Sequence, residues 1–255
     1  MEYKSLAVFS SIVIFGILET LIPFFQYHQT LLKRVIHNLI LGLVNSLLVN
    51  LTVILILKSL WKPTLSQGFF YDLNLPWLHF ILSFFLLDLY MYTWHRLIHT
   101  WGFAWRFHKV HHTDRWMNIS TAYRFHPVEV IVSNIPKIGL IYLLGITPNA
   151  WILYESLFAI SLVFHHSNFA LPFKIDKFLS YFIVTPNYHR AHHCQLTKYL
   201  NSNYTSLLTI WDIIFQSRYY PPQPETIQFG VPEETRNFNV ISLLKLPFVP
   251  VNKHD

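Results

Sequence analysis

Apolar residues run along this chain in five stretches, to be measured against the about 20 residues an α-helix needs to cross a bilayer. Residues 5–25 carry Glu19 and are closed by Pro23, whereas residues 35–57 contain no Asp, Glu, Lys or Arg. Residues 76–94 hold Asp88 as their only charge and run directly into His95-Arg-Leu-Ile-His99. Residues 130–146 are interrupted by Pro136 and Lys137, and residues 148–164 carry Glu155 and end at His165-His166. The last two stretches are short and joined by a tight Gly145-Ile-Thr-Pro148 turn, so they predict a hairpin that crosses the bilayer or dips into it. The pattern predicts an all-α integral membrane protein with four or five transmembrane or re-entrant helices. From about Thr185 onward no run reaches span length, which predicts a helical cap beside the membrane. Tyr220-Pro-Pro-Gln-Pro224 predicts irregular backbone after it.

Composition agrees with this pattern. The chain is 53% hydrophobic and 17% aromatic with 13% charged residues, too apolar for an ordinary soluble domain. Its net charge is +6, but the cations lie between and after apolar runs rather than in one stripe. That spacing favours anionic lipid headgroups over nucleic acid. The single cysteine, Cys194, excludes an internal disulfide framework and any CxxC site. Met1-Glu-Tyr-Lys4 leads into an apolar run without a small-residue cleavage site, so a retained span is expected. If the later stretches all cross, the histidine-bearing segments emerge on one face together with Lys33, Arg34, Arg96, Arg106, Lys109, Arg115 and Arg124. The opposite face receives Lys4, Lys58 and Lys62, so the positive-inside rule makes the histidine face cytoplasmic.

Histidine is the candidate chemistry. Eleven of the fifteen histidines fall between positions 95 and 193. Two clusters share one form, His108-Lys-Val-His111-His112 and His189-Arg-Ala-His192-His193. On a helix, residues three and four apart are surface neighbours, so each cluster presents its three imidazoles to one side. Neutral imidazole is the commonest metal ligand. His95 and His99, spaced i, i+4, share a helix face with Asp88 and Tyr92, and a carboxylate there can hold a ligand ring by its other nitrogen. Taken alone, this pair reads equally as an interfacial pair beside Trp94 and Trp101. Against reading the repeated cluster as a basic cap on phosphate headgroups, its runs hold more imidazole than Lys or Arg, which favours metal ligation. His126 precedes Pro127 and is expected in a loop at the mouth of the fourth stretch. Of the adjacent His165 and His166, one points toward a shared site; His166 is taken as the ligand and His165 as a buried, satisfied ring. His95, His99, His108, His111, His112, His126, His166, His189, His192 and His193 then offer ten donors, more than the three or four one ion takes, and so suggest two metals. No Glu-x-x-His pair occurs, which excludes the carboxylate-bridged pattern of soluble di-iron bundles.

Several strings resemble the histidine boxes of the fatty acid hydroxylase and sterol desaturase superfamily. Asp88-xxx-Tyr92-x-Trp94-His95-Arg96-xx-His99 resembles the first box, and Trp105-Arg-Phe-His108-Lys-Val-His111-His112 the second. Arg124-Phe-His126-Pro127-x-Glu129 is similar to the segment that follows in some branches. Phe164-His165-His166-Ser-Asn168 resembles the third region. Thr185-Pro-Asn-x-His189-Arg-x-His192-His193, with Asn203-Tyr204 and Trp211-Asp212, resembles the last box and its trailer.

The resemblance implies a membrane-bound, O2-dependent oxygenase with two non-haem iron ions that hydroxylates or desaturates a sterol, fatty acyl or alkylglycerol lipid. It implies the ten histidines as ligands, supported by Asp88, Tyr92, Glu129, Asn203 and Asp212. It also implies N-terminal membrane helices over 1–75, a catalytic domain over 76–215 and an irregular tail over 216–255. Reducing equivalents are expected from a separate electron-donor protein, and a bacterial inner membrane is the expected location. The competing reading is a non-enzymatic metal carrier or a bis-imidazole haem electron carrier.

Overall fold

A computed structural model describes residues 2–28, 31–60, 68–70, 75–234 and 236–249. Among the described residues the chain is helical, with three isolated β-bridges and no strand. Six longer helices come first: α1 Glu2–Leu21, α2 Leu32–Leu60, α3 Pro76–Thr100, α4 Gly102–His112, α5 Pro127–Leu144 and α6 Pro148–His166. Five short ones follow: α7 Phe173–Leu179, α8 Pro186–His192, α9 Thr197–Leu200, α10 Ile210–Ile214 and α11 Val240–Lys245.

Local chemistry explains the starts and stops. Prolines open α3, α5, α6 and α8, where a missing N–H costs nothing because first-turn donors lack intrahelical partners. The Thr147 side chain caps α6 by accepting from the Ala150 N–H. Gly145 ends α5 at φ 71°, a left-handed conformation, and its backbone also lies against Gly68. Contrary to the interruption expected at Pro136 and Lys137, α5 is continuous through both. Lys137 turns inward instead and pairs with Glu155 of α6 at 2.9 Å.

The helices pack as α1 on α6, α2 on α5, and α3 on both α4 and α6, while α8 lies against the end of α6. Leu87, Ile141, Ile146 and Tyr154 form one apolar core between α3 and the α5–α6 hairpin. Leu41, Val110, Leu243 and Leu246 form a second, joining α2, α4 and α11. Large apolar side chains cover the outside of the long helices: Phe9 and Ile17 on α1, Leu43, Leu47 and Leu51 on α2, and Val132, Ile135 and Leu143 on α5. An outward apolar face is what lipid contact requires.

Among the described residues, two helical segments, Leu32–Thr52 and Pro127–Leu144, are long and apolar enough to cross a membrane. Leu6–Leu21 is apolar but shorter, and α3 and α6 reach the length with more polar inward faces. The side chains of Lys4 and Lys58, and all of Lys62, lie outside the described residues, as do residues 250–255 of the C-terminal segment. The described part of that segment is irregular for much of its length but firmly packed. It contributes Leu243 and Leu246 to the second core, and Glu234 pairs with Lys109 of α4 at 2.9 Å.

Candidate metal centre

Nine of the ten candidate histidines converge, and they form two groups. His95, His99, His108, His112 and His192 make one; His111, His166, His189 and His193 make the other. Within each group the ligand atoms all lie within 4.8 Å of one another. Each HxxHH box therefore divides between the groups. Box two gives its i, i+4 pair, His108 and His112, to the five-ring group, and the intervening His111 to the four-ring group. The last box does the reverse, with His189 and His193 in the four-ring group and His192 in the five-ring group. All nine are well buried apart from a partly exposed His99.

The fixed tautomers carry the chemical argument. His95 Nδ1 donates to the Tyr204 carbonyl at 2.7 Å, and His192 Nδ1 donates to the Ser202 carbonyl at 2.7 Å. His108 Nδ1 donates to Glu129 Oε1 at 2.7 Å, and His166 Nδ1 to the Leu162 carbonyl at 2.7 Å. A carbonyl or carboxylate oxygen accepts only, so the proton of each neutral ring sits on Nδ1 and Nε2 carries a bare lone pair. Yet His95 Nε2 lies 3.1 Å from both His108 Nε2 and His192 Nε2. None of the three can donate, so these are lone pairs aimed together, a repulsive arrangement that a shared cation relieves. His166 Nε2 lies 3.1 Å from the Nε2 atoms of both His111 and His189, and His189 Nε2 is 3.1 Å from His193 Nε2. Nitrogens spaced in this way are adjacent corners of a shell whose centre is about 2.2 Å from each, close to the length of a metal–imidazole bond. The residues present fit one metal ion in each group.

Burial supports the neutral form. Desolvation, followed by the charge that neighbouring rings would carry, holds His111, His112, His189 and His193 well below the usual imidazole range. Desolvation takes His192 down to about 3, against the opposing bond to Ser202. Metal ligation needs the deprotonated nitrogen, so this environment suits it.

Of the supporting residues, Asp88 differs from expectation in what it touches. Glu129 performs for His108 the orienting role that the spacing assigned to Asp88. Asp88 instead accepts from Tyr154 Oη at 3.2 Å, the Leu208 N–H at 3.3 Å and Trp211 Nε1 at 2.9 Å, tying α3 to α6 and α10. Tyr92 bonds Ser217 Oγ at 2.9 Å and accepts from Arg96 at 2.9 Å. Asp212 accepts from the N–H groups of Tyr204 and Thr205 and from Tyr188 Oη. Asn203 stands at φ 55°, bonds the carbonyls of Tyr188 and Tyr219 through Nδ2 and accepts from the Tyr219 N–H. Asp212 and Asn203 thus fix the loop whose carbonyls, at Ser202 and Tyr204, orient two rings of the five-ring group. Sequence reasoning missed those carbonyls, since every residue has one and the pairing is long-range.

His126 is not in either group. It caps α5, with Nδ1 accepting from the Val128 N–H at 3.1 Å and Nε2 donating to the Leu244 carbonyl at 3.2 Å, so both nitrogens are occupied by the local fold. His165 is fully buried beside the four-ring group, its ring centroid 4.1 Å from that of His189. Its Nε2 has no hydrogen-bond partner among the described residues, so it is buried but not satisfied on both nitrogens.

A cavity of about 350 Å³ opens onto both groups, reached by His95 and His108 of one and by His111, His166 and His189 of the other. Its walls from α2, α3, α5 and α6 are mainly apolar, including Val49, Ile98, Val130 and Phe158, with the Lys137–Glu155 pair also on the lining. Glu129 Oε2, Trp94 Nε1 and Tyr123 Oη belong to lining residues and lack partners among the described residues. An apolar cavity with a few unpaired polar atoms is the ordinary form of a small-molecule site.

Comparison with known proteins agrees with this geometry. Residues 80–217 match the profile of the fatty acid hydroxylase family. An alkylglycerol monooxygenase of Danio rerio is 28% identical over 181 residues, covering 68% of this chain and 38% of the relative. An ornithine lipid hydroxylase of Rhizobium tropici is 28% identical, covering 59% and 45%. A sphingolipid C4-hydroxylase of Schizosaccharomyces pombe is 26% identical, covering 61% and 53%. The chain spans roughly two fifths to one half of the length of these relatives. No solved structure matches it significantly. The chain belongs to the fatty acid hydroxylase family.

Proposed function

We propose that this protein is a membrane-bound, O2-dependent lipid hydroxylase whose two histidine groups each hold one non-haem iron ion. One observation carries the reading: in the five-ring group His95, His108 and His192, their protons fixed on Nδ1, turn bare Nε2 lone pairs toward a common point, with His95 at 3.1 Å from each of the other two, and the adjacent four-ring group repeats the 3.1 Å spacing of Nε2 atoms around His166. The nine grouped histidines are the proposed ligands, with Glu129 orienting His108. When bound, the irons would supply the O2 activation that attack on an unactivated C–H bond needs.

The chain's own residues do the rest. The apolar walls receive an alkyl or acyl segment and exclude water, which favours a lipid entering from the bilayer between α2 and α5. The unpaired atoms of Glu129, Trp94 and Tyr123 offer hydrogen bonds to a polar group near the reacting carbon. The named activities of the three relatives support a lipid hydroxylation, and desaturation of the same class of substrate is the variant outcome. A bis-imidazole haem fits poorly, because axial rings face each other across a porphyrin and the 3.1 Å spacings leave no room for one. We further propose that α1, α2, α3 and the α5–α6 hairpin make four or five passes. In this arrangement the iron face and its cap are cytoplasmic, a separate protein donates the electrons, and the membrane is a bacterial inner membrane.

The test is metal analysis of the purified protein combined with lipidomics of cells with and without the gene, under air and under argon. Near two irons per chain, with a hydroxylated lipid that appears only under air, is the expected result. Stoichiometric zinc with no O2-dependent product would overturn the reading.

A further inference from the structure

A second cavity, of about 430 Å³, lies where α2 begins, away from the histidine groups. Five cations line it: Lys33, Arg34, Arg115, Arg124 and Arg236. The lining contains one carboxylate, Asp114, and it is already engaged by Arg34, Thr121 Oγ1 and Asn38 Nδ2. Arg124 is 2% exposed and bonds only neutral acceptors, the Val110 carbonyl at 3.0 Å, Asn38 Oδ1 at 3.0 Å and Thr113 Oγ1 at 2.8 Å. Burial lowers its pKa to about 9. Arg115 Nε is buried without a partner, and no carboxylate stands within ion-pair distance of Lys33, Arg115 or Arg124 among the described residues. A buried charge left unpaired is costly, so the cavity is built for an anion.

The class of anion follows from the donors. Guanidinium groups present paired N–H donors that match the oxygens of phosphate. The cavity also sits at the end of a candidate span, the level at which lipid headgroups lie. We propose that this cavity is a phosphate site, taking the phosphate ester of a lipid headgroup or inorganic phosphate. Its volume exceeds what a bare phosphate fills, which leaves room for the ester substituent. Along α2 the turns after His37 pass Gly42 and Asn45, which line the cavity at the histidine groups. A lipid bound by its phosphate would therefore lie beside the same helix that borders the proposed substrate cavity.

Native mass spectrometry of the delipidated full chain in detergent tests this with three probes: dioleoyl phosphatidic acid, dioleoylglycerol and inorganic phosphate. Phosphatidic acid is expected to bind one to one where dioleoylglycerol does not, with an affinity that falls as salt rises. The Lys33→Ala/Arg115→Ala double variant should bind it roughly 10- to 30-fold more weakly, given the usual contribution of a lysine or arginine near a headgroup. Unchanged metal content of that variant shows that it has folded. Inorganic phosphate that binds as tightly as phosphatidic acid, with the same loss in the variant, assigns the site to the free ion. Equal binding of phosphatidic acid and dioleoylglycerol, without binding of inorganic phosphate, would overturn the proposal. So would wild-type binding of phosphatidic acid that salt does not weaken, and that reading needs no variant.

Discussion

The two histidine groups are built from the same residue type by the same motif, yet they are held very differently. In the five-ring group, three rings have Nδ1 anchored, His95 to Tyr204, His192 to Ser202 and His108 to Glu129. In the four-ring group only His166 is anchored, to the Leu162 carbonyl, while His111, His189 and His193 leave Nδ1 without a partner among the described residues. The four-ring group also turns three of its members onto the apolar cavity, against two from the five-ring group. Anchored rings resist reorientation, and a group with fewer ligands keeps more coordination positions open. If each group holds a metal ion as proposed, the five-ring group is suited to retain it and the four-ring group to expose it.

Adjacent residues give the sharpest way to break that contrast, because His192 and His193 serve different groups. His193→Ala should reduce iron from about two to about one per chain and abolish turnover, whereas His192→Ala leaves four rings and should retain more metal. Elemental analysis of both variants decides it, and equal losses would remove the distinction between the groups.

Acid comes next. Buried rings such as His111, His189 and His192 resist protonation in the folded state. Below an unfolded pKa of about 6.5 the unfolded chain binds more protons than the native one, so stability falls with pH at up to ~1.4 kcal/mol per unit per ring. The metal-free protein should keep full stability above that pH and lose it progressively as pH drops toward 3. Denaturant midpoints over this range, measured with and without iron, report the effect. A flat profile for the metal-free protein would contradict the burial argument.

Glu129→Ala removes the one carboxylate that bonds a grouped ring among the described residues, and an effect of about 10–100-fold on metal affinity or activity is expected, confined to the five-ring group. Glu129→Gln keeps an accepting oxygen and should recover part of it. The smallest effect is expected at Asn203, where replacement by Ala removes three hydrogen bonds at a left-handed residue and should cost about 1–3 kcal/mol. A readout beyond stability is the metal affinity of the five-ring group, which should weaken while that of the four-ring group holds.

Much of this site could be read from spacing alone. The i, i+3 and i, i+4 intervals place the rings on helix faces, and α3, α4 and α8 carry them there. The division of each box between two groups could not be read so, because it depends on how α4 and α8 face each other rather than on either helix. His126 misled for a related reason. Its position before Pro127 is that of a helix cap, and the fold uses it as one. Asp88 has the right spacing from His95, but the longer reach to Trp211 and Leu208 claims its oxygens. Lys137 looked like a break in an apolar stretch because its partner, Glu155, lies on the next helix. The C-terminal segment reads as irregular backbone from its prolines, and proline content does not tell whether such backbone packs.

The loop from Ser202 to Tyr204 has a bearing on how the protein is made. It clamps His95 on α3 and His192 on α8 through neighbouring carbonyls. During translation the early rings wait, unoriented, until this distant loop has left the ribosome, and the four-ring group is incomplete until His193 is made. On the proposed function, metal loading of either group therefore has to follow synthesis of residues 192–204, long after the first rings are made.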